Sequence, residues 1–329
     1  FSLKQFSTKL SLSQDAFILN ELDIEYGESN LLGDLYFDLS RIDIFNLVDI
    51  NLYDSVYVDF KFKNSNIFPS DFHSFYKKIN KNHSNSFTFN SNIKGYGNEL
   101  FTENTTLSNK NNLIEFDSKL ANLFSNEKDH VLDFNFKKIK KSYEEINSLV
   151  PEIFGTIIPS SIKKLGKFQF DGLVKINSYE VESEFNLNLE NGIINASLNV
   201  SNLSNIDNAI YKGNIEGINI DISKFINFNL MGNCDFEFEI NGRGFTSDYL
   251  DSTVTGKINK ITFNNITLNE LDVFGQVKDQ VFDGKLTLND PDLNLDFDGL
   301  VNFSNDLIDF DFNSSIRYAN LYNLGFNDI

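Results

Sequence analysis

A chain of 329 residues offers few side chains here that could carry out chemistry. Its single cysteine lies in Cys234-Asp-Phe236-Glu-Phe238, with no histidine nearby in sequence to act as the base a catalytic thiol needs. Cys234 shares parity with Phe236 and Phe238 and reads as a small buried apolar residue. The histidines, His73, His83 and His130, form no pair at ligand spacing, so no metal site arises from them. Asn294-Leu-Asp296-Phe-Asp298-Gly299 approaches a calcium loop. Its first position is Asn, however, and Asn305 stands where a bidentate Glu is required. Leu295 and Phe297 are strand-type residues, so the segment reads as a polar strand face. Gly242-Arg243-Gly244-Phe245 lacks the third glycine of a phosphate cradle and opens no helix, which leaves a bulged turn. Carboxylates are scattered along polar faces, with no pair set apart for acid and base roles. Neither an enzyme nor a cofactor is expected.

The remaining candidate is the apolar surface that the strands must present. Period-two alternation runs through Phe168-Gln-Phe170, Val174-Lys-Ile176, Phe185-Asn-Leu187-Asn-Leu189 and Phe236-Glu-Phe238-Glu-Ile240. It returns in Leu293-Asn-Leu295-Asp-Phe297 and Phe310-Asp-Phe312, and the first half carries Val56-Tyr-Val58-Asp-Phe60-Lys-Phe62 and Leu132-Asp-Phe134-Asn-Phe136. Each run puts large apolar groups on one face and Asn, Asp, Glu, Lys or Ser on the other, the pattern of antiparallel sheet with one wet face. Asn186, Glu237, Asp309 and Asp311 are expected to face water. Alternation alone fits both a sealed sandwich core and an open apolar groove.

Composition narrows the class. There are 34 Phe, no Trp and only 4 Pro, many apolar anchors with few breakers, which suits long uninterrupted sheet. The net charge of -19 argues against nucleic acid and against anionic lipid headgroups as partners. No run of about 20 apolar residues could span a membrane as a helix. The start at Phe1, without a signal peptide, makes the sequence read as an excised segment or an incomplete chain; if the parent protein is exported, its targeting signal is expected upstream.

Runs recur about every ten residues, giving roughly 20 strands, and a flat sheet of that many strands would curl or split. Tyr26-Gly27-Glu28, Asn191-Gly192, Asn241-Gly242 and Asp298-Gly299 are read as turns. Residues 69–81 suggest a short helix, and 140–167 a broken helical crossing between strand segments 1–139 and 168–329. Short helical pieces are expected at 42–47, 220–225 and 318–324, each with Asp or Asn as a cap. They suggest a weak repeat of several strands followed by a helical turn.

Residues 143–325 resemble the TamB family of the AsmA-like superfamily, in its Bacteroidota-type form. The resemblance rests on Leu149-Val-Pro151, Lys164-Leu165-Gly166, Phe170-Asp-Gly172, Tyr211-Lys-Gly213, Gly244-Phe245, Val254-Thr-Gly256, Phe282-Asp-Gly284 and Asp290-Pro-Asp292-Leu-Asn294. Residues 1–140 match more loosely. The family's N-terminal membrane anchor and C-terminal domain have no counterpart in this sequence. The resemblance implies a mainly β fold, a long antiparallel sheet curled into a taco-like groove with a few short helices. It implies a periplasmic bridge whose apolar lining carries phospholipid acyl chains between inner and outer membranes. On that basis Phe168, Phe170, Val174, Ile176, Phe185, Leu187, Leu189, Phe236, Phe238, Ile240, Leu293, Leu295, Phe297, Phe310 and Phe312 would line the lipid groove. Two alternatives stay open: a scaffold for outer-membrane protein assembly with a TamA-like barrel, and a structural solenoid or adhesin with a sealed core.

Overall fold

The computed structural model describes residues 3–42, 52–73, 86–109, 112–123, 129–142, 160–202, 207–226, 230–246, 248–304 and 308–326. The chain is mainly β. Contacts divide it into two units, Phe1–Ile158 with Phe170–Ser178, and Pro159–Gln169 with Tyr179–Ile329.

The first unit contains β1 (Leu3–Leu12), β2 (Ala16–Tyr26), β3 (Ser29–Asp38), β4 (Tyr57–Ile67), β5 (Phe87–Tyr96), β6 (Glu99–Asn109), β7 (Asn112–Ala121) and β8 (Val131–Ser142), and it takes most of β9 (Lys167–Ile176). The second contains β10 (Glu180–Leu189), β11 (Ile193–Ser201), β12 (Ile210–Asp221), β13 (Met231–Arg243), β14 (Asp251–Phe263), β15 (Ile266–Lys278), β16 (Val281–Asn289), β17 (Leu293–Asn302) and β18 (Asp309–Ala319). Consecutive strands pair antiparallel from β1 to β8 and again from β10 to β18. None of the strands contains Pro, so no Pro removes a donor from these ladders.

Helix is confined to short turns among the described residues. Pro69–Phe72 is a single 3-10 turn, and 74–81 of the expected helix lie outside the described residues. Of the expected crossing, 140–142 extend β8 and Ser160–Leu165 is a 3-10 turn, with 143–159 outside the described residues. Of the short pieces, 43–47 are likewise outside. At 220–225, β12 runs to Asp221 before one turn of helix, Ser223–Ile226. At 318–324, β18 continues through Ala319 before turns begin.

Two of the expected turns are strand instead. Gly242 lies inside β13 and Gly299 inside β17. A Cβ at Gly299 would come within 2.3 Å of the Asp311 carbonyl oxygen, and one at Gly242 within 2.5 Å of that of Asp251. Glycine is required there by close strand approach, a signal that Asn-Gly and Asp-Gly share with turns. Gly27-Glu28 does join β2 to β3, while Asn264-Asn265 and Asp279-Gln280 form tight turns with positive φ at both residues.

The main irregularity is a recurrent bulge. β2, β4, β6 and β12 each carry one extra residue relative to the next strand. At each a non-glycine residue sits in the left-handed region: Glu21 (φ 52), Asn64 (φ 51), Asn104 (φ 52) and Asn219 (φ 56). Its N–H donates to a side chain on the following strand: Glu21 to Asp34 Oδ1 (2.9 Å), Asn64 to Asn90 Oδ1 (2.8 Å), Asn104 to Asp117 Oδ1 (2.7 Å) and Asn219 to Asp235 Oδ1 (2.6 Å). Bulges bend the strand that carries them, and these clamps hold the bend.

Candidate functional site

Register turns the alternation of single strands into rows that cross the second unit. One row is Phe185, Ala196, Ile215, Phe238, Gly256, Val273, Leu286, Phe297 and Ser314, each residue opposite the next from β10 to β18. The neighbouring row is Leu187, Ile194, Gly217, Phe236, Ile258, Leu271, Leu288, Leu295 and Ile316. Ile240 stands in a third row, which runs through Val254, Gly275, Gly284 and Gly299 to Phe312. Phe310 closes a fourth, opposite Val301. Phe236 stacks on Phe238 with ring centroids 5.0 Å apart, and Phe297 on Phe312 at 4.8 Å.

The opposite face is polar. The row through Asn186 is Asn195, Glu216, Glu237, Lys257, Asp272, Thr287, Asp296 and Ser315. Asn186, Glu237, Asp309 and Asp311 are all exposed. Asn294 and Asp296, from the calcium-like segment, lie here and accept from Arg317. Among the described residues no three His, Cys, Asp or Glu side chains lie close enough to hold a metal ion.

In the first unit the apolar face is an aromatic relay. Phe17 meets Phe37 at 5.5 Å, Phe37 meets Phe60 at 5.1 Å, and Phe62 meets Phe89 at 5.8 Å. Further along, Phe116 meets Phe134 at 5.6 Å, and Phe136 meets Phe170 of β9 at 5.8 Å. Phe168, Val174 and Ile176 share Phe170's parity on β9; Phe168 is buried and the other three are half-buried.

Burial across this face is graded. The residue following each bulge is nearly inaccessible: Leu22 at 2%, Ser65 at 0%, Thr105 at 2% and Ile220 at 4%. Cys234, opposite Ile220, is 2% exposed, and burial pushes its thiol up to about 12, so it stays protonated and inert. Away from the bulges Phe185, Leu187, Leu189, Phe236, Phe238, Ile240, Leu293, Leu295 and Phe297 are half-buried, while Ala196, Val273 and Leu288 of the same rows are buried. On β18, Phe310 and Phe312 are 54% and 48% exposed. Within each unit the apolar face therefore has a closed floor beside the bulges and more open walls away from them.

No protein-family model, curated protein or solved structure matches this chain.

Several features of the site escaped sequence reading. The floor of the first unit includes two pairs of hydroxyls, with Ser91 Oγ and Thr105 Oγ1 at 2.8 Å and Thr102 Oγ1 and Ser118 Oγ at 2.8 Å. Mutual hydrogen bonds remove the cost of burying these hydroxyls. Gly242-Arg243-Gly244-Phe245 does more than turn the chain. Gly244 (φ 73) donates its N–H to the Ala209 carbonyl and swings Phe245 onto buried Tyr211, ring centroids 4.8 Å apart, so one end of the face is covered. The polar face holds an open depression of about 590 Å³ among Glu184, Asn195, Asn214, Glu216, Glu237 and Glu239. It also displays Phe274, 64% exposed, whose polar-parity position gave it no part in the apolar rows.

Proposed function

We propose that the apolar face binds phospholipid acyl chains and lets them move along its rows, as a segment of a bridge between inner and outer membranes. The observation that supports this is the half-exposure of the rows. Large apolar side chains in continuous register are left open above a closed floor, which is costly in water unless something apolar occupies them. An acyl chain of about 16 carbons exposed to water costs on the order of 12 kcal/mol, at about 0.8 kcal/mol per methylene. The face offsets most of that cost. Apolar side chains recur along each row without a single distinctive pocket, so a chain need not be trapped at any of them. The acidic opposite face keeps the bent sheet soluble and away from anionic headgroups, which suits passage of tails alone.

The reading is tested by extracting the purified chain with organic solvent and identifying bound lipid by mass spectrometry, then titrating the stripped protein with a fluorescent fatty acid. Bound phospholipid and saturable probe binding are expected. Phe238→Glu should weaken both with the sheet signal in circular dichroism unchanged, because a carboxylate on an open wall can stay hydrated. Glu237→Lys, on the polar face, should leave both intact. A lipid-free chain that ignores the probe would sink the proposal, and unfolding of Phe238→Glu would indicate a sealed core.

A further inference from the structure

We infer that Asn191 is a site of spontaneous deamidation, and that its product acts on the bulge of β12. This stands apart from the lipid reading. Asparagine followed by glycine is the pair most open to this reaction, because no side chain shields the glycine nitrogen. Five Asn-Gly or Asp-Gly pairs occur in the chain. Four lie inside strands: Asp171-Gly172 in β9, Asn241-Gly242 in β13, Asp283-Gly284 in β16 and Asp298-Gly299 in β17. Asn191-Gly192 lies instead in the short loop between β10 and β11. Asn191 is exposed, and its side-chain amide has no hydrogen-bond partner among the described residues. Asn241 is held very differently. It stands opposite Lys212 on one side and Thr253 on the other, with Gly242 between Tyr211 and Ser252. An extended backbone paired on both sides holds the glycine nitrogen away from the side-chain carbonyl carbon.

The step needs only water. The Gly192 nitrogen gives up its proton and attacks Cγ of Asn191, the Cγ–Nδ2 bond breaks, and ammonia leaves with that proton. Water then opens the cyclic imide at either carbonyl. One opening gives aspartate. The other gives isoaspartate, in which the chain runs through Cγ, one methylene longer, and the former main-chain carbonyl becomes a free carboxylate. That carbonyl has a task in the fold: it accepts from Nδ2 of Asn219, the left-handed residue of the β12 bulge. Asn219 also accepts from Asn233 Nδ2 at 2.8 Å, and its N–H donates to Asp235 Oδ1 at 2.6 Å. Its side chain therefore ties the β10–β11 loop to β13 across the bulge. Isoaspartate displaces and charges the acceptor at one end of this tie, and the loosened residue directly precedes Ile220 of the closed floor.

The test ages the full chain in buffer and maps its peptides by mass spectrometry, with isoaspartate scored by an isoaspartyl methyltransferase. In the folded chain Asn191 should convert to a mixture of aspartate and isoaspartate, several-fold faster at pH 8 than at pH 6, while Asn241 stays intact. In urea both should react. Asn191→Gln keeps the main-chain carbonyl and forms an imide far more slowly, so it should remove the signal without changing circular dichroism. Gly192→Ala is not a usable control, since a Cβ there would lie 2.7 Å from the carbonyl oxygens of Ile218 and Asn219. Amide exchange reads the second half of the proposal. The Asn219 N–H should exchange several-fold faster in aged protein than in fresh protein or aged Asn191→Gln, and the Asn104 N–H, at the bulge of β6, should not change. Asn191 that survives in the folded chain but reacts in urea would overturn the site, as would equal native reaction at Asn241. Isoaspartate at 191 with unchanged exchange at Asn219 would overturn its action on the bulge.

Discussion

Removing one clamp tests whether the bulges hold the bend. Asp117 is the best placed, because its two oxygens do separate work: Oδ1 accepts the Asn104 N–H at 2.7 Å, and Oδ2 pairs with Lys137 Nζ at 2.7 Å. In Asp117→Ala the Asn104 N–H, already out of the strand ladder, loses its acceptor. A hydrogen bond to a charged group contributes about 1.5–3 kcal/mol. The carboxylate is 35% exposed, so water replaces part of that and the lower end applies. The exposed ion pair adds about 0–1 kcal/mol. The expected loss is about 2 kcal/mol, or roughly 30-fold faster amide exchange in β6 and β7 under native conditions, at about 1.4 kcal/mol per tenfold. Asp117→Asn keeps an acceptor and should cost less, as should Lys137→Met, which removes only the ion pair. The effect should also depend on pH. Burial raises the Asp117 carboxyl, but the hydrogen bonds from Lys137 and the Asn104 N–H and the lysine's charge outweigh it, and the group sits below its ordinary range. A lowered folded value means the stabilisation is present above the unfolded pKa of about 3.9 and is lost as the pH falls through the folded one. The difference between Asp117→Ala and wild type should therefore be full near neutrality and vanish in strong acid. If Asp117→Ala exchanges no faster than Lys137→Met at pH 7, the clamp does not hold the bend.

Other outcomes follow from the same geometry. Ser118→Ala strands the buried Thr102 hydroxyl and should cost about 1–3 kcal/mol, whereas Thr102→Val with Ser118→Ala should cost clearly less than the two single changes added together; strict additivity in denaturant melts would refute the pairing. Cys234 should resist maleimide at pH 8 in the folded chain and react fully in urea, and rapid native labelling would mean the floor is open. Gly299→Val should part β17 from β18, since its Cβ would press on the Asp311 carbonyl oxygen, and exchange in β18 should rise while β10 to β12 keep their protection.

The faces were legible in the sequence because each strand carries its own parity. Phe185, Phe238 and Phe297 lie more than fifty residues apart, yet their rows could be sorted from water-facing Asn186, Glu237 and Asp296 by counting alternate positions. What joins them into one row is register, which the sequence does not state. The bulges were not legible for a related reason. An inserted residue such as Asn64 or Asn104 looks like any polar residue in a chain rich in asparagine, and its partner, Asn90 or Asp117, lies on another strand. Gly242 and Gly299 misled because Asn-Gly and Asp-Gly mark both tight turns and places where strands press together. The openness of the apolar face is a property of layering, and alternation is the same whether or not a second layer covers it.

Three of the four bulges and their clamps also belong to a single hairpin: Glu21 and Asp34 are 13 residues apart, Asn104 and Asp117 are 13, and Asn219 and Asp235 are 16, whereas Asn64 and Asn90, 26 apart, sit across a longer connection. Curvature is thus written locally, in pieces of some thirty residues that need no instruction from distant parts of the chain. Such a piece can curve as soon as it leaves the ribosome. A gene that duplicated or lost one hairpin would lengthen or shorten the protein without flattening it. Length of chain then becomes an inherited variable, set by counting hairpins.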